Sequence, residues 1–271
     1  EGRLGGIQEV WVAIGGAPQG GPFKKEQPPA QLNWDLWQGQ TKSVDYIKQR
    51  SHHDFRWWFE YSGGKMTDWG AHHVDIAHWA IGAADTGPVL ITPKMAQFPV
   101  PLKAGMPTVD DQYNTATKFR IDCVFGDGVK VHVCDSVNPT DCPEANANFG
   151  NGVLIVGSKG RIQVDRGKLV GKPVEQLKDD PLPADAITKV YKGKQHGNHM
   201  GNFFECVKSR EEPISDVYSH HRAMTTCHLA NIAIRLGRPI KWDPKTQQIV
   251  GDEEAARWQS REQRKGFEIV V

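Results

Sequence analysis

Asp68, His72 and Asp75 are the residues of this chain whose types and spacing best suit proton transfer at a site. At ~100° per residue, steps of three and four place them, together with Trp79, within a ~60° arc of one helix. We call these four residues the polar stripe. The other faces of the helix are apolar, so it is expected to lie inside the protein, where buried carboxylates must be paired or line a polar cavity. An Asp beside a His in such a cavity is typical of a general acid–base pair.

A simpler role exists for the start of this helix. Thr67 or Asp68 could be its N-cap, since Thr and Asp favour that position and two glycines precede it. A cap would not exclude a site, because a helix N-terminus also favours anions. His73 and His78 lie off the stripe, where a structural role is favoured, although His73 is kept among the candidate substrate-binding residues.

Other residues could contact a substrate. Arg56 beside Trp57 suits a polyol or a carboxylate, through bidentate hydrogen bonds and ring stacking. The alternative is a core aromatic cluster with Arg56 at its edge. Lys65 directly precedes the helix and could reach a substrate, although a solvated lysine is favoured. His199 begins a second predicted helix, where a cleft position competes with a capping or surface role.

Residues 63–75 resemble the Gly-Gly-Gly-x-x-x-Asp-x-Gly-x-His-x-x-Asp motif of the Gfo/Idh/MocA oxidoreductases, the family of glucose-fructose oxidoreductase and inositol dehydrogenase. Further segments resemble the same family in the same order, at 33–37, 55–58, 202–207 and 228–233. The resemblance implies that Asp68 and His72 lie at the substrate carbinol, beside the nicotinamide ring. It also implies a homo-oligomer formed through an open sheet face.

The chain departs from the family pattern in lacking a nucleotide-binding half. A dinucleotide-binding unit needs a strand, a Gly-x-Gly-x-x-Gly turn, a helix and an acidic residue ~20 residues later, and the sequence has none of these in order. The family's Glu-Lys-Pro motif, whose lysine usually completes the site, is also missing. We therefore interpret residues 1–271 as a substrate-binding and oligomerisation domain. NAD or NADP is expected in a full-length parent, and no cofactor is expected to bind this chain alone.

Several functions fit this interpretation. The first is the substrate-binding half of an NAD(P)-dependent sugar or polyol oxidoreductase, with hydride transfer at a carbinol carbon. An NAD-dependent glycosidase of the same family is a variant of it. A non-catalytic sugar-binding or assembly module is the alternative from another class. The sequence identifies neither the sugar nor the preferred nucleotide.

Composition excludes some partners. The net charge is +1 from 33 basic and 32 acidic residues, which gives no broad electrostatic attraction to nucleic acid or anionic membranes. No apolar run approaches the ~20 residues of a membrane span. Five cysteines without a Cys-x-x-Cys pair disfavour a disulfide framework or structural zinc, and no metal site is expected. A cytoplasmic location is expected, with periplasmic export of the parent left open.

The order of periodic segments predicts an α+β fold, an open and mainly antiparallel sheet with helices packed on one face. Strands are expected at 7–14, 89–98, 115–124, 129–136, 153–157, 160–165 and 168–170, and helices at 44–49, 66–82, 198–209 and 216–237. Turns at 126–128 and 158–160 predict hairpins. The long segment 15–43 forms either a cleft wall or a surface arm held by its tryptophans. Residues 238–271 form a C-terminal extension.

Overall fold

A computed structural model describes residues 2–194 and 197–269. In chain order its strands are β1 (Ile7–Ala13), β2 (Pro88–Gln97), β3 (Leu102–Lys103), β4 (Met106–Pro107), β5 (Lys118–Phe125), β6 (Lys130–Cys134), β7 (Gly152–Gly157), β8 (Gly160–Val164), β9 (Leu169–Val170), β10 (Ile240–Asp243) and β11 (Gln248–Val250). Nine of them form one sheet in the order β11-β10-β2-β5-β6-β1-β7-β8-β9, and β3 pairs with β4 in a separate hairpin.

The sheet is antiparallel except between β1 and β6, which run parallel. Both predicted hairpins are confirmed, with Val124 opposite Lys130 and Gly157 opposite Gly160. The predicted strands lie within a few residues of the observed ones. The sequence pattern missed β3, β4, β10 and β11, because they are short. In addition, β10 and β11 lie in the segment expected only as an extension.

The helices are α1 (Trp34–Gln38), α2 (Trp69–Ala80), α3 (Lys172–Glu175), α4 (Ala186–Val190), α5 (His199–Ser209), α6 (Val217–Leu236) and α7 (Glu253–Ala256). Helix α6 begins where the Asp216 carboxylate accepts hydrogen bonds from two backbone N–H groups. It ends at Gly237, whose left-handed φ of 66° suits a C-cap.

The helix predicted at 44–49 is wrong. Only a 3-10 turn, Lys48–Arg50, forms there. The backbone before it bonds to the neighbouring segment instead. The Val44 N–H donates to the Gln38 side chain, and the Tyr46 carbonyl accepts from the Glu26 N–H. A tertiary contact therefore overrides local helical preference.

Helices α2 and α6 pack against each other and, with the sheet, enclose the main core. Alternation in β5 decides which residues face them, because successive side chains of a strand point to opposite faces. The buried positions of β5 are Phe119, Ile121, Cys123 and Phe125. This arrangement confirms the predicted α+β fold with an open, mainly antiparallel sheet.

The second face of the sheet is partly covered by the chain itself. Trp11 and Leu154 form a small second core with Val137 and Cys142 from the segment between β6 and β7. A polar cluster adjoins it. The His132 ring stacks on Trp11 at 4.0 Å, and its Nδ1 lies 2.7 Å from the Asp122 carboxylate.

The long segment 15–43 is packed against the domain. Phe23 contacts the Trp58 and Tyr113 rings, and Trp34 stacks on Trp37 at 4.9 Å. The C-terminal extension returns to it, since Arg264 hydrogen-bonds to the carbonyl of Gly39 at 3.0 Å. None of the helices in the described part of the chain is long and apolar enough to cross a membrane.

Candidate functional site

Two glycines bring the start of α2 close to α6. Gly64 has a φ of 66°, and a Cβ there would lie 2.6 Å from the Thr115 side chain. A Cβ on Gly63 would lie 2.4 Å from the Asn231 amide. That amide donates a 3.0 Å hydrogen bond to the Gly63 carbonyl oxygen. Side chains larger than hydrogen at these positions would separate the elements that hold the site.

Asp68 occupies the N-cap position of α2, but its carboxylate makes no capping hydrogen bond. The Thr67 hydroxyl does not cap the helix either, since it accepts from the Gly63 N–H at 2.8 Å. The Asp68 carboxylate meets two cations instead. Arg56 Nη1 donates to its Oδ1 at 3.2 Å, and Lys65 Nζ lies 3.9 Å from its Oδ2. The first residue of the polar stripe is therefore held by ion pairs.

Both cations lie over the same aromatic ring. The Arg56 guanidinium is 4.8 Å and the Lys65 ammonium 5.5 Å from the centre of the Trp57 ring. Trp57 is buried, with 5% of its surface exposed, whereas Arg56 is only partly buried. This arrangement has the geometry of the aromatic-cluster alternative, and cation–π attraction fixes both charges beside Asp68.

Two other residues of the polar stripe are open to solvent. His72 is exposed, and Trp79 keeps 58% of its surface exposed. The prediction of a helix buried on all sides is therefore wrong. Helix α2 buries only one face, with Val74 and Ala77 in the core, because the sheet and α6 cover that face alone.

His72 lies one turn beyond Asp68, with its ring edge-on to Trp69 at 5.6 Å. Within the described residues, no hydrogen bond joins His72 to Asp68. Asp75, half-buried, lies near the start of α6. Burial raises the pKa of Asp75, while the positive charge of His220 opposes that shift and Asp216 adds to it.

His73 turns inward from the stripe. It is buried, its Nε2 lies 3.0 Å from the Asn151 side-chain oxygen, and burial lowers its pKa. His78 is also buried, between the Ala83 carbonyl at 3.2 Å and the Thr226 hydroxyl at 3.0 Å. Burial lowers the pKa of His78 to about 4. Both histidines hold elements together below the stripe.

His199 is the first residue of α5 and is exposed, and it has no described contact with the residues around Asp68. The structure instead adds Arg166, in the turn between β8 and β9, whose guanidinium is 5.6 Å from the Trp69 ring. No local pattern marks a turn arginine as a neighbour of α2, so sequence reasoning missed it.

Two cavities lie away from Asp68. Cavities of about 440 and 540 Å³ border the second sheet face, lined by residues that include Gln163 and Glu9 respectively. At the candidate site Asp68 is partly buried, with 23% of its side chain exposed. Across 2–194 and 197–269, no three His, Cys, Asp or Glu side chains are placed to hold a metal ion.

Comparison with known proteins gives the family. The family model described as the oxidoreductase family, C-terminal alpha/beta domain, of Gfo/Idh/MocA type, matches residues 20–269. No curated protein matches the chain.

Solved structures are similar at low identity. The WlbA dehydrogenase from Bordetella pertussis, solved with NADH and UDP-GlcNAcA, is 17% identical, with a TM-score of 0.47; the match covers 89% of this chain and 57% of that one. The aldose-aldose oxidoreductase from Caulobacter crescentus, solved with glycerol, is 16% identical, with a TM-score of 0.44 and the same coverages of 89% and 57%. This chain thus spans 57% of the length of either protein.

The motif at 63–75 and the mainly antiparallel sheet agree with the family model, which covers most of the chain. The resemblance seen in the sequence is thereby confirmed. This chain belongs to the Gfo/Idh/MocA oxidoreductase family, as its C-terminal α/β domain.

Proposed function

We propose that this chain is the substrate-binding half of an NAD(P)-dependent oxidoreductase that acts at a carbinol carbon of a sugar or polyol. One observation carries the proposal. The Asp68 carboxylate is held by Arg56 and Lys65 at the partly exposed start of α2, and His72 is exposed one turn away. Charged groups held at an accessible helix start, in a family of oxidoreductases, are suited to binding and deprotonating a hydroxyl.

Each residue has a distinct part in the proposed reaction. Removal of a hydride from a carbinol carbon requires the hydroxyl proton to leave, and His72 takes or relays that proton. Its ring has no hydrogen-bond partner within the described residues, so it is available to the substrate. Asp68 orients the hydroxyl, and Arg56 keeps the carboxylate in place through the 3.2 Å hydrogen bond.

The bound nicotinamide would supply the hydride acceptor. The sequence has no Gly-x-Gly-x-x-Gly turn between a strand and a helix that would hold a pyrophosphate, so NAD(P) is assigned to a nucleotide-binding half. Trp57, Lys65 and Asp75 border the substrate position. Contacts of His73 and His199 with substrate stay predictions.

The experiment uses a full-length protein that carries both halves. His72→Ala and Asp68→Asn should each lower kcat/KM by about 10²–10⁴-fold, the usual contribution of a general acid–base group. NADH affinity should change little, because both side chains belong to the substrate half. Melting temperature should change little, because His72 is exposed and asparagine has nearly the shape of Asp68. His221→Ala is the matched control, an exposed histidine on α6 that contacts Gln247.

Turnover at the normal rate in His72→Ala would refute the assignment of His72. A wild-type protein that binds sugars but oxidises none of a panel of aldoses and polyols with NAD or NADP would favour the non-catalytic module. Release of free sugar from a glycoside, dependent on catalytic NAD, would favour the glycosidase variant.

A further inference from the structure

Two charged atoms at the candidate site lack hydrogen bonds. Asp68 Oδ2 is screened from solvent and accepts none. Lys65 Nζ lies 3.9 Å away, which is an ion-pair distance but too long for a hydrogen bond. Lys65 keeps only 21% of its side chain exposed, and no described residue accepts a hydrogen bond from its ammonium. Polar groups buried without partners cost free energy, so this pair is satisfied best when a third group joins it.

The chemistry of the pair selects that group. An ionised carboxylate only accepts hydrogen bonds and an ammonium only donates them, so a bridging group must do both. A hydroxyl meets this requirement, whereas a substrate carboxylate cannot donate to Asp68 and an ammonium cannot accept from Lys65.

The distance between Lys65 Nζ and Asp68 Oδ2 is about half an ångström shorter than a bridging hydroxyl needs. An oxygen at about 2.7–2.8 Å from both atoms, with a near-tetrahedral angle between them, needs the two atoms about 4.5 Å apart. The observed separation of Lys65 Nζ and Asp68 Oδ2 is 3.9 Å. The ammonium would therefore retreat by roughly half an ångström, a small movement for the flexible four-carbon lysine stem.

Both terminal nitrogens of Arg56 already have partners within the protein. Arg56 Nη1 donates to Asp68 Oδ1, its Nη2 contacts His53 Nε2, and its guanidinium lies over Trp57. The fork that would bind a substrate carboxylate in a bidentate manner is thus occupied. This decides between the two substrate groups that the sequence left open at Arg56.

We infer that Lys65 and Asp68 together bind one neutral hydroxyl of the substrate, so that this position selects an uncharged polyol or sugar over an acidic one. Lys65 stands at a variable position of the family motif, directly after its glycines, so the motif itself assigns no role to this donor. The inference rests on the proposed function, because it takes Asp68 as part of the substrate site.

Calorimetric titration of the chain itself tests the inference, with myo-inositol and D-glucose as neutral probes and D-glucuronate as the acidic probe. Wild type should bind a neutral probe at least as tightly as D-glucuronate. Lys65→Met should weaken the neutral probe by roughly ten- to a hundredfold, the value of a hydrogen bond to a charged group. Lys65→Gln, whose amide still donates, should restore part of that loss.

Lys103→Met, which removes an exposed lysine of the separate β3–β4 hairpin, should bind like wild type. Melting temperatures confirm that all variants are folded. Unchanged binding of neutral probes by Lys65→Met would overturn the inference and leave the proposed function intact. A preference for D-glucuronate that disappears in Lys65→Met would also overturn it, since Lys65 would then bind an anion. If wild type bound no probe at millimolar concentration, both the inference and the proposed function would be overturned.

Discussion

The side-chain amide of Asn231, in the middle of α6, donates a buried hydrogen bond of 3.0 Å to the backbone carbonyl of Gly63. It joins the longest helix to the turn that leads into the polar stripe. Asn231 is 5% exposed, so water cannot replace this bond. The position of Asp68 thus depends on a residue remote in the sequence.

Asn231→Leu should lower the free energy of unfolding by about 1–3 kcal/mol, because it leaves the Gly63 carbonyl buried without a donor. Chemical denaturation measures the difference. Thr225→Ala, which removes an exposed hydroxyl bonded within α6, is the control and should change stability little. Wild-type stability in Asn231→Leu would show that the bond does not secure the turn.

His78 should make stability depend on pH. Its folded pKa of about 4 lies below the ordinary value of 6.5, so between these values the unfolded chain binds a proton that the folded protein does not. Stability is fully present above pH 6.5 and falls as the pH drops towards 4, by up to about 3 kcal/mol from this residue. Desolvation also lowers the pKa values of His73 and His228, which therefore act in the same direction.

Unfolding free energies should be measured across this pH range. Between pH 6.5 and pH 4, His78→Gln should lose less stability than wild type. His221→Gln, at an exposed histidine, should keep the wild-type slope. Equal slopes in His78→Gln and wild type would mean that burial of His78 does not govern the acid response.

Calorimetry with NAD and NADP should detect no tight binding to the 271-residue chain. Its sequence lacks the glycine turn and helix N-terminus that hold a pyrophosphate. A fragment that carries the nucleotide-binding half serves as the positive control. Micromolar affinity of either nucleotide for the chain alone would place the cofactor site within it.

Light scattering should give a mass of at least twice the 30.2 kDa protomer, if the second sheet face is an interface between copies. Gln163→Lys adds a charge beside Leu154 on that face and should lower the mass towards the protomer. Lys103→Glu, on the β3–β4 hairpin, should not. A clean monomer at high concentration would remove the oligomer prediction.

The sequence determined those features that arise from local periodicity and local motifs. The periodic segments predicted the strand at 115–124 and the long helix at 216–237, which are β5 and α6 in the structure. The motif at 63–75 predicted the family, because its spacing is short and specific. Each of these depends on residues close together in the chain, so no distant contact was needed to infer it.

Tertiary structure decided the rest. Four residues on one helical stripe could not show that Asp68 would be held by Arg56 and Lys65 while His72 stayed exposed. Those contacts depend on how two 3-10 turns pack before α2. The helix predicted at 44–49 does not form for the same reason, since backbone groups there bond to residues of the long segment 15–43. Hydrogen bonds and ion pairs between separate segments are set by the packing of the whole chain, and local preference does not encode them.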